Sequence, residues 1–381
     1  MRIAIIGKGT SAIITAVVLL KNGHKVTIFY DPKQDALDIG ESTTPAFPLL
    51  ISEVLGLDIH TFVDEGIFSY KAGINFIDWG NGKQFYENFW DKNTLACHFN
   101  AKIFNEYIND YLEKNLLVEY FSERVERFIF GDNEAIVNGK SFDFVINCSG
   151  WCDKQNSYES ILETVNSVVL FKKKYKEYCT HHTMHLATED GWQFGLPFPK
   201  QDIFKCGYCY DSNLISKKDV LSKLPEDIEI TGEYTWTPRY SKNLIENHFY
   251  ASNGNRLFFF EPLQALSLHY YIDCAQLICY YLEDRDIDKW NMNYLDYMYD
   301  NQMCLAFHYH FGSIYDTEFW NKVPKDSYNL LIGSKWGVGE MFERKVEYDR
   351  MTNASPTNSE SQMGPFQWRD HLITLQGMSA K

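Results

Sequence analysis

The N-terminal residues show the pattern of a strand, a helix and a second strand. Residues 2–6 (RIAII) form a short continuous apolar run, which is typical of a buried parallel strand. A glycine-containing turn follows, and residues 10–20 then predict a helix that ends before Asn22-Gly23. Residues 25–30 (KVTIFY) form the next strand. The chain therefore begins with a predicted β-α-β unit.

The middle of the chain predicts a second, antiparallel sheet. Residues 69–79 and 83–90 alternate like hairpin partners around the turn Gly80-Asn81-Gly82, and further antiparallel strands are expected between residues 165 and 240. Residues 143–148 (DFVINC) instead form a buried strand like the first one. The remaining predicted elements are helices at 102–117, 262–283 and 288–311, strands at 118–130 and 136–146, and a mobile segment at 352–365 before a short last helix.

Composition and charge narrow the class of protein. The 381 residues are 45% hydrophobic and 23% charged, as in an ordinary globular protein. The aromatic fraction is 16%, which favours sheet and pockets for flat ligands. The formal net charge of −15 disfavours nonspecific binding to nucleic acid or to an anionic membrane. The short basic run at 172–174 is interpreted as a solvated strand end.

Targeting and cysteine usage indicate a soluble cytoplasmic protein. The chain begins directly with a strand, and the apolar run at 12–20 is too short to span a bilayer. Nine cysteines without a secretory context predict reduced thiols. Cys206 and Cys209 form a C-x-x-C without a second pair at zinc spacing, and alternation sends the cysteine and histidines of residues 179–185 to both faces of a strand. No metal site is predicted.

The segment GKGTSA, residues 7–12, is the strongest chemical signal, because it lies between the first strand and the first helix. Gly7 allows a tight turn, Gly9 lets the backbone approach a pyrophosphate, and Ala12 permits close packing of helix on strand. The N–H groups at the helix start would then face the phosphates. This context predicts a dinucleotide-binding site.

The cofactor is expected to be FAD rather than a nicotinamide. The acidic residue that should hold the ribose hydroxyls is Asp31, one position past the usual strand end, and a solvated loop aspartate is an equal alternative. A nicotinamide domain usually continues with regular β-α-β units. Here a hairpin intervenes after residue 68, and the next such strand ends only at Cys148-Ser149-Gly150. That interrupted pattern resembles FAD-binding monooxygenases, whose nucleotide domain is split by a substrate sheet.

Five segments, in order, resemble the motifs of the flavin-dependent halogenases, and the first two concern the flavin loop and the lysine strand. IGESTTP (residues 39–45) is similar to the GEATxP segment, the loop that joins the flavin and substrate sites in that family. YKAGINFIDW (residues 70–79) is similar to the strand that has the catalytic lysine, at Lys71.

The third segment, GWQFGLP (residues 191–197), resembles the WxWxIP motif that distinguishes halogenases from hydroxylating relatives. It matches at Trp192 and Pro197, with conservative departures at Phe194 and Leu196. By resemblance, Trp192 separates the flavin from the organic substrate, although an aromatic strand residue is also typical of a core.

The last two segments lie in the C-terminal half. EPLQALS (residues 261–267) resembles EPLESTG, and HYHFGSIYDTEFW (residues 308–320) resembles the HY…R-DTPFW segment, with Tyr315 where arginine is expected. The matches extend over roughly residues 1–320, and the compact chain is similar in length to the phage-encoded members of the family.

The resemblance implies a two-component halogenase that uses FADH₂ from a separate reductase, O₂ and a halide to halogenate an electron-rich aromatic of the indole or phenol type. Backbone N–H groups of Leu266 and Ser267 would hold the halide. The residues implied to bind FAD are Gly7, Gly9, Thr10, Ser11, Ala12, Asp31, Ser42, Thr43 and Leu268. The sequence is compatible with a homo-oligomer.

Lys71 is implied to deliver the halogen, as a hydrogen-bond donor to hypohalous acid or as a haloamine. Strand alternation alone places Lys71 opposite the apolar residues of its strand, facing solvent. The family glutamate that works with this lysine falls at Gln264, which cannot accept a proton in its place. Either another carboxylate assists, Glu261 being the nearest in sequence, or the lysine acts alone.

The expected fold is α/β, with a Rossmann-like FAD-binding domain split by an antiparallel substrate sheet and followed by a helical C-terminal part. The expected domains are a discontinuous FAD domain (1–70, 98–164 and 250–285), a substrate sheet (71–97 and 165–249) and the C-terminal part (286–381). The alternatives are a flavin monooxygenase that hydroxylates its substrate, or an oxidase, and a flavin-binding protein without catalysis.

Overall fold

A computed structural model describes residues 1–34, 39–82, 84–88, 96–151, 158–160, 162–175 and 181–333. The helices are α1 (Thr10–Lys21), α2 (Ala46–Leu55), α3 (Ile59–Asp64), α4 (Ala101–Leu112), α5 (Lys217–Ser222), α6 (Leu266–Asp284), α7 (Ile287–His310) and α8 (Glu318–Ile332). The strands are β1 (Arg2–Ile6), β2 (Lys25–Phe29), β3 (Gly40–Ser42), β4 (Phe68–Lys71), β5 (Gly73–Ile77), β6 (Phe85–Asn88), β7 (Ala96–Asn100), β8 (Val118–Phe121), β9 (Phe128–Phe130), β10 (Ala135–Val137), β11 (Lys140–Phe142), β12 (Phe144–Asn147), β13 (Tyr158–Glu159), β14 (Ser167–Lys174), β15 (His182–Thr188), β16 (Gly191–Phe198), β17 (Ile203–Tyr210), β18 (Glu229–Thr235), β19 (Arg239–Ser241), β20 (Ile245–Asn247), β21 (Tyr250–Ser252) and β22 (Phe258–Phe259).

The first sheet is the nucleotide-binding type of sheet that the N-terminal pattern predicts. Its strand order is β20-β21-β12-β1-β2-β8, and every pair except β20–β21 is parallel. β1 is buried along residues 3–6 because it lies in the middle, and α1 packs on α6. The predicted β-α-β unit is confirmed.

The second sheet has seven strands in the order β18-β14-β17-β16-β15-β5-β6. Its pairs are antiparallel, as predicted, apart from the parallel pair β5–β15. The predicted hairpin exists as β5–β6, with Phe76 opposite Phe85. A three-stranded sheet, β3-β7-β4, is built from two strands that precede this hairpin in the chain and one that follows it.

The predicted single strand at 69–79 is wrong, because it breaks at Ala72. The N–H of Ala72 donates to the carbonyl of His181, and the chain passes from β4, which pairs with β7, to β5 in the larger sheet. Alternation cannot be continued across this break. Lys71 consequently does not face solvent and is only 1% exposed.

Several boundaries also differ from the predicted ones. The strand expected at 118–130 divides into β8, in the parallel sheet, and β9, which pairs with β10. The helix expected from residue 102 already ends at Leu112. Helix α8 lies in the expected helical C-terminal part (286–381), although no separate bounds were predicted for it. Thr317 caps it, accepting a hydrogen bond of 3.5 Å from the N–H of Trp320. The segment 352–365 and the short last helix lie outside the described residues.

Within the described ranges, no helix is both long and apolar enough to cross a bilayer.

Candidate functional site

The glycine turn after β1 fits tightly against β12. Gly7 has a φ of 120°, a backbone conformation that residues with a side chain rarely adopt. A Cβ at this position would lie 2.6 Å from the carbonyl oxygen of Cys148. The N–H of Gly7 donates to the carbonyl of Phe29 over 2.8 Å. The turn therefore requires glycine for its own geometry.

Gly9, in contrast, borders open space. It is the N-cap of α1, no side chain caps that helix, and a Cβ at Gly9 would meet no heavy atom within 4 Å. The first N–H groups of α1 are therefore available to an anion. A pyrophosphate fits this arrangement, because no side chain at Gly9 covers the backbone where it borders the open space. The turn could hold the diphosphate of FAD.

The other residues predicted to bind FAD lie at the start of α1, after β2, at and just after the end of β3, and at the start of α6. Thr10 contacts Asn105 (3.2 Å between Oγ1 and Oδ1), Ser11 packs against Gly254, and Ala12 is fully buried. Asp31 accepts a hydrogen bond of 2.9 Å from the N–H of Lys33, so its carboxylate stabilises the turn after β2.

The loop after β3 is fixed on β7. The N–H of Thr43 donates to the carbonyl of Cys97, and its hydroxyl accepts from the N–H of Cys97, each over 2.9 Å. The Ser42 hydroxyl lies 3.5 Å from that of Thr183. The Thr43 carbonyl accepts a hydrogen bond of 3.0 Å from Lys71 Nζ. The loop and the lysine are thus joined directly.

Lys71 is a buried amine with an altered acidity. Burial lowers its pKa from 10.5 to about 7, and the carboxylate of Glu87 opposes part of that decrease. His98 and His185 lie nearby and are buried. Burial lowers the pKa of both imidazoles well below the usual value, so both are neutral. Near pH 7 the amine is therefore present in both protonation states.

Glu87, whose carboxylate acts on Lys71, forms a polar cluster with Gln264 and His308. Gln264 Nε2 lies 3.4 Å from Glu87 Oε2 and 2.6 Å from His308 Nε2. His308 Nδ1 lies 2.7 Å from the carbonyl oxygen of Cys304 and donates to it. None of the three cluster residues is more than 3% exposed.

The residues predicted to bind halide form the start of α6. Ala265 is its N-cap with a φ of 55°, a left-handed conformation that is uncommon for alanine, and no side chain caps the helix. Leu266, Ser267 and Leu268 form the first turn, whose N–H groups lack partners within the helix. The local geometry suits an anion.

Glu261 lies in a different hydrogen-bonded chain. The indole N–H of Trp192 donates to the Tyr309 hydroxyl over 2.7 Å, and that hydroxyl donates to Glu261 Oε2 over 3.0 Å. The Thr164 hydroxyl donates to the same oxygen. Burial raises the pKa of Glu261 to about 7. The carboxylate that influences the acidity of Lys71 is Glu87.

The remaining motif residues are packed in the core. Trp192 is fully buried, 4.9 Å from the His185 ring, and 6.1 Å from Phe194 between ring centroids. The Pro197 carbonyl accepts a hydrogen bond from the Ser69 hydroxyl. These contacts tie the middle of β16 to the surroundings of Lys71.

Sequence reasoning missed Glu87, His308 and Tyr309 as members of the site. Glu87 lies in KQFYENFW, where alternation marked only a hairpin strand, and nothing in that pattern indicated a buried acid. His308 and Tyr309 were quoted only as part of a family segment.

The C-x-x-C pair does not form a site. Cys206 and Cys209 are both buried in β17, but they belong to different apolar clusters on its two faces. Across the described stretches, no group of three potential ligands is arranged to hold a metal ion.

Comparison with known proteins adds a family match. Residues 2–99 and 90–331 match the family model described as tryptophan halogenase. The chain is 20% identical to the tryptophan 7-halogenase RebH of Lentzea aerocolonigenes, in an alignment covering 84% of this chain and 78% of that protein.

Solved structures show the same fold. A tryptophan halogenase from Shewanella frigidimarina has a TM-score of 0.80 at 18% identity, covering 100% of this chain and 89% of that one. BrvH, a flavin-dependent halogenase from Brevundimonas sp. BAL3, has a TM-score of 0.78 at 17% identity, covering 99% and 89%. The predicted α/β fold class is confirmed.

Proposed function

Because the chain belongs to the tryptophan halogenase family, we propose that it uses FADH₂, O₂ and a halide ion to halogenate an electron-rich aromatic of the indole or phenol type. The observation that supports this most is Lys71, a buried amine whose pKa lies at about 7. An ordinary surface lysine stays protonated at neutral pH. Lys71 is instead suited to bind and transfer an electrophile.

The N-terminal turn would hold the cofactor. The backbone at Gly7 and Gly9 and the free N–H groups of α1 would bind the diphosphate. When bound, reduced flavin supplies the electrons with which O₂ is activated for oxidation of the halide. The first turn of α6 would hold the halide through the N–H groups of Leu266 and Ser267.

Lys71 would then transfer the oxidised halogen. As an ammonium it donates a hydrogen bond to hypohalous acid and polarises its halogen. As a free amine it forms an N–halogen bond, and water leaves. In the second case the aromatic carbon takes the halogen, loses its proton and regenerates the amine. The Thr43 carbonyl fixes the direction of Nζ in either case.

Aromatic side chains would keep water from this transfer. Phe76 stacks on Phe85 and on His308, with centroid distances of 4.9 and 5.7 Å, and Trp79 is fully buried 5.5 Å from Tyr309. Such rings also suit a flat aromatic substrate. Trp192 would separate the substrate from the cofactor.

The reaction needs a supply of FADH₂. We infer that a separate reductase provides it, because no second dinucleotide turn occurs in the sequence that could hold a nicotinamide. The net charge of −15 disfavours nucleic acid, so we expect a small-molecule substrate. The free thiols of the described cysteines suit a location in the cytoplasm.

The test is an incubation with FAD, a flavin reductase, NADH, O₂ and each halide in turn over a panel of indoles and phenols, followed by mass spectrometry. The expected product has one hydrogen replaced by the supplied halogen. A product that gains one oxygen whatever the halide would indicate a hydroxylase. Flavin binding without any product would indicate a non-catalytic protein.

A further inference from the structure

The geometry points to Glu87, on β6, as the positioning carboxylate that partners the Lys71 amine in place of a carboxylate at position 264. This inference rests on the proposed function only for its catalytic consequence. The pairing itself can be tested in the protein without turnover.

The first observation is that Glu87 is a buried acid with polar neighbours. It is 3% exposed, and its Oε2 lies 3.4 Å from Gln264 Nε2 and 3.7 Å from His308 Nε2. Burying a carboxylate costs several kcal/mol unless a positive charge or hydrogen bonds compensate it. Since burying this carboxylate costs free energy, we expect its charge to have a role.

The second observation is the backbone path. β4 ends at Lys71 and β5 begins at Gly73, whose neighbour Ile74 pairs with Glu87. A Cβ at Gly73 would lie only 2.1 Å from the carbonyl oxygen of Glu87, so the two chains approach closely there. β6 therefore passes close to the backbone at Gly73, two positions after the lysine. Its charge also acts on Lys71, since it raises the pKa that burial lowers.

The third observation explains the glutamine. His308 Nδ1 donates to the Cys304 carbonyl, so in the neutral ring Nε2 is an acceptor. The Gln264 amide nitrogen can donate one hydrogen to that Nε2 and the other to Glu87. A glutamate at 264 would place two carboxylates about 3.4 Å apart, and one of them would have to take up a proton. The cluster thus contains a single carboxylate, which lies on β6 rather than in the loop before α6.

The other titratable groups near Lys71 do not supply the charge. Burial raises the pKa of the Cys97 thiol on β7 above its usual range, so it stays neutral. His98 on β7 and His185 on β15 are neutral for the reason already given. Glu261 hydrogen bonds to Tyr309 and Thr164 instead. Of the carboxylates considered, Glu87 is therefore the one whose charge acts on Lys71 within this part of the structure.

The test exchanges the two side chains. Glu87→Gln, Gln264→Glu and the double exchange are compared with the wild type, with Glu119→Gln as a control for loss of one exposed charge on β8. Lysine labelled with ¹³C at Cε is titrated by NMR, and the Lys71 signal is assigned by its loss in Lys71→Met. Halogenation rates are measured in parallel between pH 6 and 9.

We expect the Lys71 midpoint to lie near 7 in the wild type. In Glu87→Gln it should fall by about one pH unit, since an opposite charge shifts a pKa by about one to three units. The fraction of protonated amine, and any rate that depends on it, would fall about fivefold at pH 7 and about tenfold at pH 8 and above. The double exchange should move the midpoint back towards the wild-type value, and Glu119→Gln should leave it unchanged.

An unmoved midpoint in Glu87→Gln would overturn the pairing, whatever the protein catalyses. If that variant does not fold, the reciprocal measurement replaces it: glutamate labelled with ¹³C at Cδ is titrated in the wild type and in Lys71→Met, and a Glu87 midpoint that does not rise on loss of the amine would have the same meaning. Shifted midpoints in a protein that makes no halogenated product would preserve the pairing and reject the proposed function instead.

Discussion

Lys71 Nζ donates a hydrogen bond of 3.0 Å to the main-chain carbonyl of Thr43, a residue 28 positions earlier in the chain. Both residues are positioned by β7: Thr43 bonds twice to Cys97, and Lys71 lies opposite Ala96 in the β4–β7 pair. One strand therefore sets the relation between the loop after β3 and the amine. A main-chain acceptor also holds Nζ independently of any side chain at position 43.

The hydroxyl of Thr43 provides a first prediction. Thr43→Val keeps the shape of the side chain but leaves the buried N–H of Cys97 without its acceptor. An unsatisfied buried donor costs about 1–3 kcal/mol, so the free energy of unfolding should fall by that amount in urea titrations. Thr43→Ser keeps the hydroxyl and should lose much less. Equal losses in both variants would mean that the hydrogen bond contributes little.

The amine itself provides the second prediction. Lys71→Ala should bind FAD and still consume FADH₂ and O₂, but it should form no halogenated product, because oxygen activation belongs to the flavin and transfer to the amine. Lys71→Arg should fail as well if the amine forms the N–halogen bond, since a guanidinium stays protonated and is a poor nucleophile. Product is measured by mass spectrometry and flavin affinity by fluorescence on the same samples.

Retained halogenation by Lys71→Ala would refute the transfer role even if flavin binding were normal. Loss of flavin affinity together with activity would instead indicate a disturbed β4, which thermal unfolding of the variant would detect. For a hydroxylase or a flavin-binding protein, the alanine variant should keep its behaviour.

The open space at Gly9 provides the third prediction. Gly9→Val should fold normally, because its backbone is extended and a Cβ there meets nothing within 4 Å, yet the side chain should block the approach of a diphosphate. We expect a loss of FAD affinity of at least about tenfold, measured by equilibrium titration, with little change in melting temperature.

Gly7→Val is the informative comparison. There the φ of 120° and the Cys148 carbonyl oppose any side chain, so this variant should lose stability as well as flavin. Normal FAD affinity in Gly9→Val would remove the N-terminal turn from the proposed cofactor site.

The sequence predicted those features that depend on local pattern. The β-α-β unit follows from apolar runs and a glycine turn that are contiguous in the chain, and the β5–β6 hairpin follows from alternation around a glycine-rich turn. Alternation along the strand could not predict the burial of Lys71. The break at Ala72 depends on His181, which lies more than a hundred residues away in the sequence.

The polar cluster was hidden for the same reason. Glu87, Gln264 and His308 come from β6, the loop before α6, and α7, and only the packing of these elements brings them together. Without the structure, the glutamine at 264 indicated a missing carboxylate but not its replacement. Glu261 was the nearest acid in sequence, yet its hydrogen bonds go to Tyr309 and Thr164.

The acidity of Glu261 provides the last prediction. Its pKa in the folded protein is raised from 4.5 to about 7 by burial. Between these values the folded state binds more protons than the unfolded state, so the stability that this group contributes is full below about pH 4.5 and is lost as the pH rises through 7. Glu261→Gln removes this dependence while leaving an oxygen that can accept from Tyr309 and Thr164.

The difference in free energy of unfolding between Glu261→Gln and the wild type should therefore shift in favour of the variant as the pH rises from 4.5 to 8. At about 1.4 kcal/mol per unit, the shift has an upper limit of about 3 kcal/mol. Urea denaturation at several pH values measures it, with Glu119→Gln on the exposed face of β8 as the control. A constant difference across this range would mean that Glu261 ionises in the folded protein as it does in the unfolded chain. The Trp192–Tyr309–Glu261 hydrogen bonds would then end on a carboxylate at neutral pH rather than on a group that titrates there.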